Sequence, residues 1–380
     1  MALCGPATHG LSLVCSKSHA RTRRPRRSRG SGVVQILAGY DVTGMEGVEV
    51  EGFDEGQLER PKWVGETPLS RFVGAVISFK PLYSLLKLGA RRVLIDTAEK
   101  KNIPWREMTT EILESDVYKE LESIQNPSVV YPDYYLNAFH AYDEGNLSWL
   151  AAAEAEAATL SMARRTVPDA SSLDEANEVV RGNWLQAIEQ HHLQYSGNSM
   201  IRDILDIGCS VGVSTGYLAD KFPLAKGLDL SPYFVAVAQF KEKKRFPRKN
   251  PISWIHANGE DTGLSSNSFD IVSMAYVLHE CPNRAIVNLV KEAFRLLRPG
   301  GTVALTDTAP KSKILQWCVG CARNQELSPV LFTLMKSTEP FLDEYYLTDL
   351  EGTMREFGFV NVTTLLTDPR HRTVTGTVPR

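Results

Sequence analysis

From Ile201 onward the chain alternates, at near-regular intervals, between short runs rich in β-branched residues and amphipathic stretches. No other feature restricts the fold as strongly. The runs are Ile201–Ile207, Ala225–Leu230, Ile252–Ala257, Phe269–Ala275 and Thr302–Thr306, with helix-like segments between them. The cleanest helix carries Ile286, Leu289, Val290, Ala293, Phe294 and Leu297 on one face, and Pro299-Gly300-Gly301 closes it. Alternation of this kind means parallel strands joined by right-handed crossovers, so the expectation is a doubly wound α/β sheet. After residue 310 comes a long helical insertion. Phe359–Leu366 and Arg372–Val378 are separated by a connection short enough for an antiparallel hairpin at the sheet edge.

Four segments are expected: 1–40, 41–60, 61–170 and 171–380. Residues 1–40 hold no acid, one Lys and six Arg, and are rich in Ser. That composition suits an organelle transit peptide, for a chloroplast, with a mitochondrion as the alternative. Asp41–Glu59 has seven acids and no base, as an exposed linker would. Residues 61–170 read as a mainly helical N-terminal region. It contains the aromatic-rich stretch Tyr131–Asn146 and an Ala/Glu/Leu-rich helix at 147–163. Pro168 breaks the chain before a helix at Leu173–Leu193, capped by Ser171 or Ser172.

The net charge of −3 conceals the basic leader. Without its seven positive charges the remainder carries −10, which repels phosphate backbones and argues against nucleic acid as a partner. No apolar run reaches the roughly 18 residues of a membrane span. Six cysteines are too few for a disulfide scaffold, and Cys318-x-x-Cys321 lacks the second pair that a structural zinc needs, so no metal is expected. In a plastid that pair could serve as a redox dithiol. Lys241–Lys249 holds six basic residues in nine and reads as a solvated turn.

The first strand runs into Asp206-Ile207-Gly208-Cys209-Ser210-Val211-Gly212 at the edge where doubly wound sheets bind ligands. A dinucleotide fingerprint would need glycine at 208, 210 and 213, and two of the three positions fail. The pattern acid-x-Gly-x-(Gly/Ser)-x-Gly is met instead. An acid in the loop mouth opposes a phosphate and suits an ammonium group. Asp229, followed by Leu230, ends the second strand, where a carboxylate accepts ribose hydroxyls. Asn258-Gly259-Glu260 ends the third, where an amide pairs with an adenine edge.

Leu205–Gly212, Asp229 and Leu296-Leu297-Arg298-Pro299-Gly300-Gly301 resemble the motifs of class I S-adenosylmethionine-dependent methyltransferases. The texture is closest to the small-molecule branch typified by ubiquinone- and menaquinone-biosynthesis enzymes, which Asn267-Ser268-Phe269-Asp270 also matches. Tyr131–Asn146 with Phe79–Glu107 is similar to uncharacterised plastid and cyanobacterial members. The resemblance covers about residues 175–380. It implies S-adenosylmethionine as cofactor and a Rossmann-like sheet in the order 3-2-1-4-5-7-6 with the last strand antiparallel. It further implies that Asp206 and the Gly208–Gly212 loop hold the methionine moiety and Asp229 the ribose. Ser210 and Asn258 depart from the usual Gly and Asp.

Methyl transfer from a sulfonium is an in-line displacement, so the protein chiefly aligns donor and acceptor and excludes water. A base is needed only where the acceptor loses a proton. His279, after the fourth strand, is the candidate base or substrate contact. Tyr135, His140 and Tyr142 are expected to face the acceptor, and Ile314–Met335 is a second lid candidate. No Asn/Asp-Pro-Pro-Tyr motif follows the fourth strand, and Cys281-Pro282 reverses the Pro-Cys nucleophile order, which weakens a nucleobase target. The expected activity is O- or C-methylation of a small organic acceptor such as a quinone, isoprenoid or other aromatic metabolite. The alternative is a cofactor-binding module without catalysis. Oligomeric state is not legible.

Overall fold

The computed structural model describes residues 80–139, 142–197, 200–310 and 339–380, together with Gln35–Ile36 and the isolated positions 68, 71 and 75. By its contacts the chain divides into Met1–Ser31 and Gly32–Arg380, and everything described belongs to the second unit. The expectations for a linker at 41–60, a lid at Ile314–Met335, a dithiol at Cys318 and Cys321, an acceptor contact at His140 and, apart from Gln35–Ile36, a transit peptide at 1–40 fall outside the described residues.

The strands are β1 (Asp203–Ile207), β2 (Leu224–Asp229), β3 (Ser253–His256), β4 (Phe269–Ala275), β5 (Leu297–Thr308), β6 (Val360–Leu366) and β7 (His371–Thr377). They form one sheet in the order 3-2-1-4-5-7-6. All neighbours are parallel except β7, which runs antiparallel to both β5 and β6. A two-residue strand, Gln35–Ile36, adds itself in parallel to the outer edge of β6. The Pro-Gly-Gly corner differs from expectation. Rather than preceding the fifth strand it lies inside it, and the β4–β5 register jumps from Phe269↔Leu297 to Ile271↔Thr302. Gly300, at φ +80°, turns its N–H onto the Val378 carbonyl at 2.9 Å, so the ladder continues through the bulge.

Helices cover both faces. The helices are α1 (Lys80–Glu99), α2 (Trp105–Leu113), α3 (Trp149–Thr166), α4 (Leu173–Tyr195), α5 (Val213–Lys221), α6 (Pro232–Lys244), α7 (Asn283–Leu296), α8 (Leu342–Leu347) and α9 (Leu350–Glu356). Strand side chains alternate between faces. Ile204, Ile271 and Ala304 therefore meet Trp184 and Ile188 of α4 and Leu218 of α5. Leu205, Val272 and Val303 meet Ile286, Leu289, Val290 and Ala293 of α7. Ser148, Ser172 and Ser231 cap α3, α4 and α6, their side-chain oxygens accepting from Ala151, Glu175 and Phe234 N–H. Thr166 ends α3 just before Pro168, as the ring requires.

The helical N-terminal region packs on this sheet through α6. Val117 and Ala151–Ala152 share a buried cluster with Val211, Phe234, Val237 and Phe240. The basic run at the end of α6 and just after it forms ion pairs: Lys241 with Glu156, Lys243 with Glu120, and Arg248, beyond the helix, with Glu242 and Asp220.

Candidate active site

The carboxyl ends of β1–β5 open into a single cavity of about 1080 Å³, roofed by the aromatic stretch after Pro132. That exceeds the usual size of a small-ligand pocket, about 300–1,000 Å³, and leaves room for two molecules side by side.

Gly208, Ser210 and Gly212 all have left-handed φ, +74°, +49° and +85°. The loop curls over the end of β2, with Gly208 and Cys209 N–H both donating to the Leu228 carbonyl at 2.8 and 3.0 Å. What the two glycines avoid is protein. A Cβ on Gly208 would lie 2.8 Å from a Val277 methyl, and one on Gly212 would run into the Trp254 ring. Ser210 holds the same conformation with a side chain, at a strain of about 1 kcal/mol. Its N–H donates to Asp229 Oδ2 at 2.8 Å.

Asp229 is the best-organised of the expected cofactor residues. Only 6% exposed, it accepts from Ser210 N–H and, through Oδ1, from Ser231 N–H at 2.8 Å. Burial drives its pKa up from 3.8 to about 6, against these two bonds. Tyr135 is half-buried, and its hydroxyl is pushed well up, first by burial and then by the Asp229 and Glu280 carboxylates. It stacks on Tyr131, with centroids 6.4 Å apart and planes within 10°.

Three expected residues take other places. Asp206 stands behind the glycine loop rather than in its mouth. It is 1% exposed, with Oδ2 accepting from Thr215 of α5 at 2.7 Å and with the Ser273 hydroxyl beside the carboxylate. Burial lifts its pKa to about 6. The helix that opens at Val213 brings Thr215 back over the strand end and draws the carboxylate inward. Gly212 likewise belongs to the packing against Trp254. Glu260 is a roof anchor: Oε1 accepts from Tyr134 Oη at 2.9 Å and Oε2 from Asn288 Nδ2 at 2.8 Å. Asn258 Oδ1 already accepts from Glu260 N–H at 2.9 Å, which leaves its Nδ2 donors for an adenine ring nitrogen. Gly259 lies where a Cβ would meet Ile207 at 2.6 Å, and the Leu230 carbonyl accepts from His256 Nε2 at 3.1 Å.

Arg181, on α4, carried no local signal. It lines the cavity and is 2% exposed. Its guanidinium lies 4.5 Å over the Tyr276 ring, and among the described residues Nε and Nη1 have no hydrogen-bond partner.

His279 lies across the cavity. Its N–H and Nδ1 both meet Asp307, at 3.1 Å to Oδ2 and 2.8 Å to Oδ1. Burial opposes charge on this imidazole. The Asp307 charge and hydrogen bond, with Glu339 and Glu280 nearby, overcome it and raise the pKa to about 10. The pairing with Asp307 thus favours the charged imidazole, and His279 faces the cavity, where the sequence reading placed a base or substrate contact.

The roof is stitched to successive strand ends. Asn126 N–H and Tyr131 Oη meet the two nitrogens of His256, at 2.9 and 3.2 Å. Ser231 Oγ donates to the Asn146 carbonyl at 2.7 Å, and Asn146 Nδ2 donates to Glu280 at 3.2 Å. Tyr142 lines the cavity, but its hydroxyl is committed to Glu154 at 2.5 Å, and Arg91 pairs with the same carboxylate.

Residues 205–305 match the family described as a methyltransferase domain. The match runs from β1 into β5 and so contains Asp206, Asp229, Asn258 and His279. An uncharacterized methyltransferase of Synechocystis is 29% identical over 114 residues, 30% of this chain and 50% of its own length. Demethylmenaquinone methyltransferase of Lactococcus lactis is 28% identical over 142 residues, 37% of this chain and 55% of its own. Phthiotriol/phenolphthiotriol dimycocerosates methyltransferase of Mycobacterium leprae is 30% identical over 129 residues, 33% and 45%. The chain spans about half the length of the curated relatives it matches. The residues lining the cavity would suit a nucleoside that carries an amino acid: the Asp229 carboxylate could accept from ribose hydroxyls, Asn258 Nδ2 could donate to a base, and Arg181 could face a carboxylate. Among the described residues no group of three or more His, Cys, Asp or Glu could hold a metal ion.

Proposed function

We propose that this protein methylates an oxygen or carbon of a small organic acceptor, using S-adenosylmethionine, in the plastid. The observation that carries the reading is one cavity lined both by Asp229, Asn258 and Arg181, which suit a nucleoside bearing an amino acid, and by His279, which is paired to Asp307. S-adenosylmethionine supplies an electrophilic methyl group on a positively charged sulfur. The protein's part is alignment, exclusion of water and charge placement. Asp229 orients the ribose, Tyr135 closes over it, and the roof tied to Ser231, His256 and Glu280 keeps the space dry. The His279 imidazolium, held by Asp307, stabilises negative charge on an acceptor oxygen. This favours acceptors that react as phenolates or enolates. The names of the quinone-directed relatives agree with an aromatic acceptor of this kind, and the mainly apolar roof suits a greasy one. The plastid location rests on the composition of residues 1–40. The charge of −10 on the remainder argues against nucleic acid as the acceptor.

The test is incubation of the purified full chain with isotopically labelled methyl donor and plastid metabolite extract. Label is expected in a small-molecule product, and Asp229→Ala should abolish it. Cofactor binding without turnover across broad extracts would favour the non-catalytic module. No cofactor binding would refute the proposal. An import assay that left the precursor uncleaved outside the plastid would remove the address.

A further inference from the structure

The antiparallel direction of β7 has a consequence for the cavity. Because β7 runs opposite to β5, its first residue, not its last, lies at the edge where β1–β5 end, and His371 pairs with Thr308 there. His371 lines the same cavity as His279, and it is 2% exposed. Its Nδ1 lies 2.8 Å from both oxygens of Asp368, in the turn that opens β7. Asp368 is itself fixed, since Oδ1 accepts from the N–H groups of Arg370 and His371 at 2.8 and 2.9 Å. The imidazole also meets the Tyr276 ring edge to face, with centroids 4.9 Å apart.

Tyr276 holds φ +62°, a conformation costly for an aromatic residue and one that clusters at functional sites. The left-handed turn sets its ring between the Arg181 guanidinium and the His371 imidazole. A carboxylate only accepts, so in the neutral ring Nδ1 carries the proton and Nε2 presents a lone pair. Nε2 has no partner among the described residues. Asp307 and Thr308 are neighbours on one strand and point to opposite faces of the sheet. His371, opposite Thr308, therefore approaches the cavity from the face other than the one that positions the His279–Asp307 pair.

We propose that His371 is a second acceptor-binding imidazole, which takes a hydrogen bond at Nε2 from a phenolic or enolic O–H of the acceptor. Asp368 and Tyr276 act as its positioning residues. The proposal deepens the reading of this cavity as an acceptor site and rests on it. A charged donor (His279) and a lone-pair acceptor (His371) on one cavity select a molecule bearing an acidic hydroxyl over a plain hydrocarbon or an amine.

The test separates this site from the cofactor. The full chain, saturated with S-adenosylhomocysteine, is titrated with 4-methoxyphenol, a phenol that keeps its O–H at pH 7.5, as a probe. Binding is followed by its absorbance and by the ¹⁵N resonances of the imidazoles. Cofactor affinity is measured separately by calorimetry. The wild type should bind the probe and move the His371 Nε2 resonance, which should report an unprotonated nitrogen at pH 7.5. His371→Asn should weaken the probe at least about 10-fold, and Asp368→Asn less, with cofactor affinity held within about twofold. Unaltered probe affinity in His371→Asn, a resonance unmoved at saturation, a protonated Nε2, or no probe binding by the wild type would each overturn the proposal. The wild-type resonance decides the matter even if a variant fails to fold. Loss of cofactor binding in the wild type would instead sink the methyltransferase reading.

Discussion

Replacing Asp229 with alanine acts on two equilibria whose magnitudes can be set against each other. As the ribose acceptor, Asp229 makes charge-assisted hydrogen bonds, and losing them costs about 2–4 kcal/mol, a 30- to 1,000-fold rise in Kd at pH 7.5. The same carboxylate holds Ser210 and Ser231 N–H. Leaving both unpaired costs about 1–3 kcal/mol each in stability. Against this, a carboxyl moved from 3.8 to about 6 by burial is a charge that the fold tolerates at about 3 kcal/mol. At pH 7 the gain and the loss nearly offset, and the apo variant should be close to wild type in urea.

The balance shifts with pH. Between 3.8 and about 6 the folded wild type binds a proton that the unfolded chain does not, so its stability rises as pH falls through that window. The variant lacks this gain, and its deficit should widen by up to about 3 kcal/mol from pH 7 to 4. Calorimetry supplies the affinity and urea titration the stability. Wild-type cofactor affinity should also weaken as pH falls below about 6, because a protonated carboxyl cannot accept from both hydroxyls. Affinity within threefold of wild type for Asp229→Ala, or a wild-type affinity flat from pH 7.5 to 5, would refute the assignment.

Arg181→Met should cost about 1.5–3 kcal/mol in cofactor affinity while leaving the affinity for a 5′-thioether adenosine without the amino-acid arm unchanged; equal losses on both ligands would remove Arg181 from the methionine end. Gly212→Ala should destabilise the fold by about 1–3 kcal/mol in urea, because the new methyl meets Trp254 at a left-handed φ, and an unchanged midpoint would mean that the loop yields freely. His279 stabilises the fold fully below about pH 6.5, and that contribution is lost as pH rises towards about 10. Stability should therefore fall between pH 7 and 10, and Asp307→Asn should flatten the slope. His279→Ala should slow methyl transfer with cofactor affinity retained, and an unaltered rate would return the residue to packing.

Much of this molecule was legible in one dimension. Period-2 and period-3.6 patterns are local, so the alternation after Ile201 defined five parallel strands and their helices to within a few residues. The caps at Ser172 and Ser231 were equally readable, since a cap needs only its own next turn. Strand ends at Asp229, Asn258 and His279 could be placed at one edge because parallel crossovers return every strand to the same side. Sequence failed where a side chain's partner comes from a distant element. Asp206 reads as an acid at a loop mouth, yet Thr215 draws it behind the loop. Glu260 reads as a cofactor contact, yet Tyr134 and Asn288 occupy it. Arg181 sits on an ordinary helix, and only packing turns its guanidinium into the cavity. Asp307 becomes a functional candidate because β5 lies beside β4, whose end carries His279, and His371 because β5 and β7 are antiparallel neighbours, a relation between residues more than 60 positions apart. Local chemistry thus determined which elements form and where a ligand edge lies. Tertiary packing alone decided which charges are buried, paired or left facing the cavity, because burial and long-range pairing depend on neighbours that no local pattern encodes.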